Sequence, residues 1–221
     1  AKATSALSGE SESIADKYFV CTECLVEGNV QSFVDLFYLT HSVSAGDGDS
    51  EQQDSGHSVK GYETLQFLKS KLTEAEVASR VNENPTVFAA YIDVAKHFQD
   101  QQDDKTGIFF LSKAVEVARR AGDLNYEAEA TSLLGLAHER MNNLSAAVDY
   151  HQRHRDLLMS AGDGGGAAVR QLVHAYRALG LQLEAEDRSQ AAIGWFEKSL
   201  AAAREAGGRE GGCEAQPLLR P

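Results

Sequence analysis

Three histidines are the residues of this chain whose type and spacing could bind a metal ion. His151 and His154 lie one helical turn apart, and His138 falls on the helix predicted to face them. Three imidazoles form a ligand set that zinc accepts in catalytic sites. All three, however, stand at positions that pack the repeats of this chain, where an aromatic or small residue is usual. We therefore predict structural histidines with satisfied nitrogens and no metal.

The cysteines form a second possible site. Cys21 and Cys24 make a CxxC motif, but neither a second pair nor a histidine at ligand spacing accompanies them. We predict that the two thiols lie on one face of a helix. The sequence contains no nucleophile elbow, no HExxH motif and no glycine-rich phosphate loop followed by Lys-Ser/Thr. The prediction is a protein without catalytic residues, metal or cofactor.

Composition excludes other classes of partner. The 221 residues carry a formal net charge of −12, which disfavours binding to nucleic acid or to an anionic membrane. No apolar run approaches the roughly 18 residues of a membrane-spanning helix. Partners are therefore expected to be proteins.

The chain reads as helical almost throughout, because its three prolines leave residues 86–216 without a helix breaker. Apolar residues at helical spacing predict packed helices over 11–42, and a further linking helix over 62–84. Gly, Ser, Asp and Gln dominate 43–61, which predicts a flexible acidic loop. A disordered N-terminus over 1–10 and a tail over 209–221 complete the predicted organisation.

Residues 85–208 contain three copies of one sequence pattern. Gly135 and Gly180 are equivalent, and Ala95 holds the same place in the first copy. An Ala-Gly pair closes each copy with the same offsets, first 40 residues and then 45, and its glycine is predicted to cap the preceding helix with a left-handed backbone. Small residues recur at the packing positions of each copy, namely Ala95, Gly107 and Ala114, then Gly135 and Ala147, then Gly180 and Ala192.

Small residues at such positions let two antiparallel helices approach closely, and a helix pair cannot bury its apolar face alone. The spacing resembles the tetratricopeptide repeat, with small residues at its eighth, twentieth and twenty-seventh positions. The predicted fold is an all-α tetratricopeptide-repeat solenoid preceded by packed N-terminal helices. Its three long repeats cover about 85–122, 123–162 and 163–207. The run "AGDGGGAAV" between the second and third copies is predicted to be a linker.

The first helix of each repeat lines the concave side of such a solenoid. A leucine trio would expose an apolar stripe there, with basic residues beside it that could pair with acidic groups of a partner. The candidate groove residues are Lys96, Leu133, Leu136, Arg140, Arg177 and Leu181. Two occupants stay open at this point: a segment of a partner protein, or the N-terminal helices of the same chain.

Chaperone adaptors with this repeat hold a C-terminal carboxylate with Lys, Asn and Arg in the groove. The corresponding positions here include Ile92, Leu133 and Ala178, whose side chains donate no hydrogen bond. A chaperone-tail carboxylate clamp is therefore not expected.

Longer stretches resemble one family, that of tetratricopeptide repeat protein 29 in ciliated organisms. The resemblance lies in "QSFVDLFYLTHS", "EAEATSLLGLAHE" and "HAYRALGLQLEAEDRSQAAI" and in their order, over roughly Tyr18 to Gly207. It implies a protein of the ciliary or flagellar axoneme and cytoplasm, linked to dynein assemblies and needed for motility, with no catalytic residues. A soluble adaptor in signalling, intraflagellar transport or dynein preassembly is the alternative. The family generally has further repeats, and the loop at 43–61 differs from it in composition.

Overall fold

The computed structural model describes residues 16–41, 61–162 and 165–210, and every regular element in these ranges is an α-helix. The predicted disordered N-terminus, nearly all of the acidic loop and most of the tail lie outside the described residues. The helices are α1 (residues 16–26), α2 (Val30–His41), α3 (Tyr62–Arg80), α4 (Asn84–Asp100), α5 (Asp104–Ala121), α6 (Leu124–Arg140), α7 (Leu144–Ser160), α8 (Gly166–Ala185) and α9 (Ser189–Glu210).

The helices belong to two compact units. The first ends at His97 and the second begins at Phe98, so that the division falls inside α4. Within the second unit, each helix from α5 to α9 packs on the next one along the chain. This succession of helix pairs confirms the predicted fold class, an all-α tetratricopeptide-repeat type of solenoid. The domain boundaries, including a first repeat that begins at residue 85, stay predictions.

The turn between the two helices has the same geometry in all three repeats. Gln102, Asn142 and Asp187 lie at equivalent places and all have left-handed backbones, with φ angles of 63°, 56° and 59°. Such a residue ends one helix sharply and lets the next begin two positions later. Asp103 and Asn143 then cap the second helix, since their side chains accept the amide N–H of Thr106 and Ala146, respectively. In the second and third repeats, where α6 packs on α7 and α8 on α9, this turn sets the antiparallel pairing.

Glycines after the second helices meet the expected geometry in two of the three copies. Gly122 and Gly162 have φ angles of 71° and 81° and follow the ends of α5 and α7. Gly207 does not end its helix, because α9 continues to Glu210. A glycine in a helix interior costs only about 1 kcal/mol relative to alanine, so its presence does not by itself stop a helix.

In the first unit, a carboxylate from α3 caps the start of α2. Glu76 Oε2 accepts hydrogen bonds from the amide nitrogen of Ser32 at 2.8 Å and from its Oγ at 2.7 Å. Burial alone would raise the pKa of Glu76, but these bonds and one from Arg80 lower it below its usual value. Negative charge at a helix N-terminus is favourable, so Glu76 stabilises α2 from another helix.

The predicted packing residues of the repeats are all buried. Ala95, Ala114 and Ala147 are fully inaccessible, and Gly107, Gly135, Gly180 and Ala192 are buried with them. In the second unit, a Cβ atom built on Gly135 would lie 2.5 Å from the His151 ring, and one on Gly180 would lie 2.7 Å from the Phe196 ring. Only glycine leaves room for these rings at such a distance, which explains the small residues in the pattern.

None of the described helices combines the length and the apolar character that crossing a bilayer requires.

Candidate functional site

The candidate site is the surface formed by α6 and α8, the first helices of the second and third repeats. Two side-chain contacts place these helices side by side: Ser132 Oγ donates to Gln171 Oε1 at 3.3 Å, and Glu139 Oε1 lies 3.6 Å from His174 Nδ1. On each helix, residues spaced by three and four positions share one face. We call this surface the α6/α8 face and define it by Leu133, Leu136, Arg140, His174, Arg177 and Leu181.

The three leucines differ in exposure across the α6/α8 face. Leu133 and Leu136 are half-buried, while Leu181 exposes 50% of its surface. The predicted apolar stripe is therefore less exposed on α6 than on α8. A leucine side chain that a partner covers completely contributes about 1.5–3 kcal/mol relative to one left in water, so Leu181 offers the largest gain.

The two arginines of the α6/α8 face have different roles. Arg140 was expected to meet a partner's acidic group, but its Nε and Nη2 donate to Asp104 Oδ1 of α5 at 2.8 and 2.6 Å. The guanidinium already has a carboxylate from the start of the neighbouring helix, and a contact of Arg140 with a partner stays a prediction. Arg177 is exposed and forms no ion pair or hydrogen bond with any described residue. It is the arginine of this face available to an acidic group.

Lys96, the sixth predicted groove residue, is exposed and belongs to the first unit. It is not part of the α6/α8 face, whose residues all come from the second unit. The assignment of all six residues to one partner groove stays a prediction.

The three histidines take packing positions inside the second repeat. Across the described ranges, no group of three or more His, Cys, Asp or Glu side chains is placed to hold a metal ion. His151 is fully buried against Gly135, and the His138 ring stacks on Tyr150 with centroids 5.1 Å apart. These are packing roles, as predicted.

The prediction that the histidine nitrogens are satisfied is wrong for most of them. Nδ1 of His138 and His154 and both ring nitrogens of His151 are buried without a hydrogen-bond partner among the described residues. His151 Nε2 does lie 3.3 Å from Glu139 Oε1, but the two groups are not aligned as a hydrogen bond. Burial lowers the pKa of all three histidines below the usual value, which favours the neutral ring.

An ion-pair network that the sequence analysis missed joins α5, α6 and α7. Glu127, whose side chain exposes 9% of its surface, accepts from Arg119 at 2.7 Å and from Arg153 at 2.6 Å. Burial would raise the pKa of Glu127, but the two guanidinium groups lower it overall. Aligning the three repeats would have revealed Glu127 as a charged residue at an otherwise apolar position, because its equivalents are Val87 and Leu172.

The cysteine pair lies on α1 as predicted and is buried. Cys24 Sγ donates to the Val20 carbonyl at 3.6 Å, and Cys21 Sγ lies 3.8 Å from Thr40 Oγ1. Burial raises the pKa of both thiols, that of Cys24 to about 11. Thiols that stay protonated and inaccessible are poor nucleophiles and poor metal ligands.

Comparison with known proteins gives one informative relationship. No protein-family model matches the chain. Over 193 residues, or 86% of its length, the chain is 25% identical to the protein named tetratricopeptide repeat protein 29 of Trypanosoma brucei brucei (strain 927/4 GUTat10.1). The matched region spans 39% of that relative. This similarity supports a tetratricopeptide-repeat relationship, and proteins with such repeats are generally helical, non-catalytic interaction scaffolds.

Proposed function

We propose that this chain is a non-catalytic interaction scaffold of the ciliary or flagellar axoneme that supports dynein-arm-associated structure, assembly and motility. The axonemal part of the proposal rests on the resemblance to the tetratricopeptide repeat protein 29 family and on the similarity to its trypanosome namesake. The scaffold part rests on the α6/α8 face. Its partners are axonemal proteins, dynein subunits among them.

The observation that carries the scaffold proposal is the pairing of Leu181 with Arg177 on α8. An exposed leucine and an exposed arginine without a described partner lie one turn apart on the same helix face. Leu133 and Leu136 extend the apolar area toward α6. Such a surface fits a protein segment that presents apolar side chains to the leucines and a carboxylate to Arg177.

The leucine supplies most of the expected affinity. An ion pair with Arg177 at an exposed rim is worth about 0.2–1 kcal/mol, whereas covering the exposed half of Leu181 is worth about 0.8–1.5 kcal/mol. Arg177 instead restricts which partner segment fits, since an unpaired basic group on the partner would be repelled.

The test is sequential extraction of isolated flagella from the organism that supplies the chain, with detergent, moderate salt and high salt, followed beside dynein subunits. We expect the protein to remain after detergent and to be released by salt together with dynein-arm components. Full release in detergent contradicts the axonemal proposal and favours the soluble adaptor.

A matched pair of variants tests the α6/α8 face in the same experiment. Leu181→Glu and Ile193→Glu alter leucine and isoleucine side chains of nearly equal exposure, 50% and 49%, on α8 and α9. Leu181→Glu should release the protein at lower salt, and Ile193→Glu should leave retention unchanged. Equal retention of both variants would keep the axonemal location but show that this face is not the contact.

A further inference from the structure

The second repeat differs from the others in the chemistry of its interior. His138, His151 and His154 stand at positions that hold Leu183, Phe196 and Ser199 in the third repeat. In the first repeat the equivalent residues are Phe98, Leu111 and Ala114. We call the three histidines the histidine cluster. Apolar or small residues satisfy the packing in the other two repeats, so the repeat geometry does not itself require imidazoles.

His151 is the most enclosed member of the histidine cluster. It has no solvent-accessible surface, and its ring fills the space left by the missing Cβ of Gly135. Neither ring nitrogen forms a hydrogen bond with any part of the chain that the structure describes. A proton added to this ring would be shielded from water, which is costly, and the Glu139 carboxylate 3.3 Å from Nε2 offsets that cost only in part, since the pKa of His151 stays lowered overall. Water can reach a protonated His151 ring only if α6 and α7 separate, since the ring lies between them.

Charged and titratable groups reach the histidine cluster from each helix that packs against it. Glu139 of α6 favours a proton on His151, while His174 of α8 disfavours it. His151 itself disfavours a proton on His154, and Gln171 of α8 opposes that effect. Burial is the largest influence on all three rings, and the pKa of each is lowered overall.

We propose that the histidine cluster is an acid-sensitive device in the second repeat, which loosens the packing of α6 on α7 when the pH falls from neutral to mildly acidic values. The device acts on the fold and does not depend on what the α6/α8 face binds. It does affect that face, because Leu133 and Leu136 are carried by the same helix as His138.

The sign of the effect follows from the protonation of the two states. An unfolded histidine binds a proton near pH 6.5, whereas the folded rings of the cluster resist it. The unfolded state therefore binds more protons below that pH, and stability falls as the pH falls. From pH 7.0 to 5.5 the unfolding equilibrium constant should rise about eightfold for each histidine that stays neutral, and up to roughly 600-fold for three.

Urea unfolding at pH 7.0 and 5.5 tests the proposal in the full chain. The single tryptophan, Trp195, lies on α9 in the second unit, so its fluorescence reports the relevant part of the molecule. Carboxylates contribute little in this range, because unfolded Glu and Asp titrate about two pH units below 6.5. We expect the wild-type protein to be clearly easier to unfold at pH 5.5.

Two variants copy the third repeat. His151→Phe introduces the ring that faces Gly180 there, and His154→Ser introduces the equivalent of Ser199. In each variant, the rise of the unfolding equilibrium constant from pH 7.0 to 5.5 should be about eightfold smaller than in the wild type. The control is His97→Phe in the first unit, which keeps an aromatic ring against Phe67, where the centroids lie 4.7 Å apart. This control should unfold with the wild-type pH dependence as seen by Trp195.

Two results would overturn the proposal. One is a wild-type protein whose unfolding constant is the same at both pH values. The other is full acid sensitivity retained in His154→Ser, the variant that shortens its side chain and so avoids any clash that could prevent His151→Phe from folding. Amide hydrogen exchange in α6 and α7, faster at pH 5.5 than intrinsic rates explain, should accompany the loss of stability.

Discussion

The second and third repeats fold the same way around different interiors. Glu127 and His151 of the second repeat take the places of Leu172 and Phe196 in the third. In both repeats a ring packs directly on a glycine of the facing helix, at 2.5 and 2.7 Å from the position of a Cβ. The comparison teaches that the repeat requires matched shapes and a tight turn, while the polarity of its interior can vary.

The two interiors hold their helices together by different means. In the third repeat, apolar side chains of α7, α8 and α9 form a continuous buried cluster that includes Leu172. In the second, Glu127 links three helices through two arginines, and the histidine cluster shares the interior with apolar residues such as Leu134. Apolar packing is insensitive to pH, whereas buried ionisable groups depend on their partners.

The largest effect is expected from Leu172→Glu, which gives the third repeat the carboxylate of the second. Leu172 is fully buried, Met159 of α7 takes the place of Arg119 of α5, and Lys198, the counterpart of Arg153, lies over the Trp195 ring at 3.8 Å. An unpaired carboxylate there should cost about 4 kcal/mol of the free energy of unfolding at pH 7. Urea denaturation followed by Trp195 fluorescence measures it.

Ala167→Glu on the exposed side of the same helix is the control and should change stability by less than about 0.5 kcal/mol. If Leu172→Glu cost no more than its control, the third repeat would accept a carboxylate as readily as the second does, and the contrast between the two interiors would disappear.

A smaller effect is expected from adding a methyl group at the two glycines. In Gly135→Ala the new Cβ meets a ring with no exposed surface, and the overpacking should outweigh the gain in helix propensity by about 1–2 kcal/mol. In Gly180→Ala the half-buried Phe196 ring can turn outward, so the net change should be close to zero. Thermal or urea unfolding of both variants gives the comparison.

Equal costs for the two alanine variants would mean that Phe196 is held as rigidly as His151. The double variant Gly135→Ala/His151→Ala separates a steric cause from any other, because it should cost less than the two single changes added together.

The smallest effect is expected from Glu127→Gln, which removes the charge but keeps the shape. Both arginine side chains are 48% exposed and can be hydrated when the carboxylate is lost, so the expected cost at pH 7 is about 1 kcal/mol. Glu129→Gln, on the exposed side of the same helix, should have no measurable effect. Urea titrations of both variants and the wild type measure the difference.

The pH dependence of that difference has a definite sign. The folded pKa of Glu127 lies below its usual value, so the charge stabilises the fold above the unfolded pKa of about 4.3 and this contribution is lost as the pH falls through the folded pKa. Wild type and Glu127→Gln should differ by a constant amount from pH 7 to about 5 and converge in more acidic solution. A difference that persisted there would mean that the cost is steric.

The repeat architecture was predictable because its signals are local and periodic. Gly135 and Gly180 recur with the same offsets as the Ala-Gly pairs, and helix pairing follows from small residues at fixed spacing. The confirmed turns at Gly122 and Gly162 depend on the glycine and its immediate neighbours. The prediction that the two cysteines share one face of a helix likewise needed only their local spacing.

The charged contacts were harder to predict because they depend on geometry across helices. Arg140 pairs with Asp104, which lies 36 residues earlier, and nothing near Arg140 in the sequence indicates that partner. Glu127 is different: comparing it with Val87 and Leu172 would have shown a charge at an apolar position. The prediction that Gly207 ends its helix was wrong because a glycine permits a helix to end there but does not force it to.

The cap that Glu76 provides for α2 has a consequence for the order of events during synthesis. The 12 residues of α2 form a helix too short to be stable alone in water, and its carboxylate cap is 44 residues away from Ser32 in the chain. At translation rates of about 5–20 residues per second, the ribosome delivers that carboxylate roughly 2–9 s after Ser32. During this interval α2 lacks the carboxylate of Glu76, so its cap can form only after α3 has been synthesised.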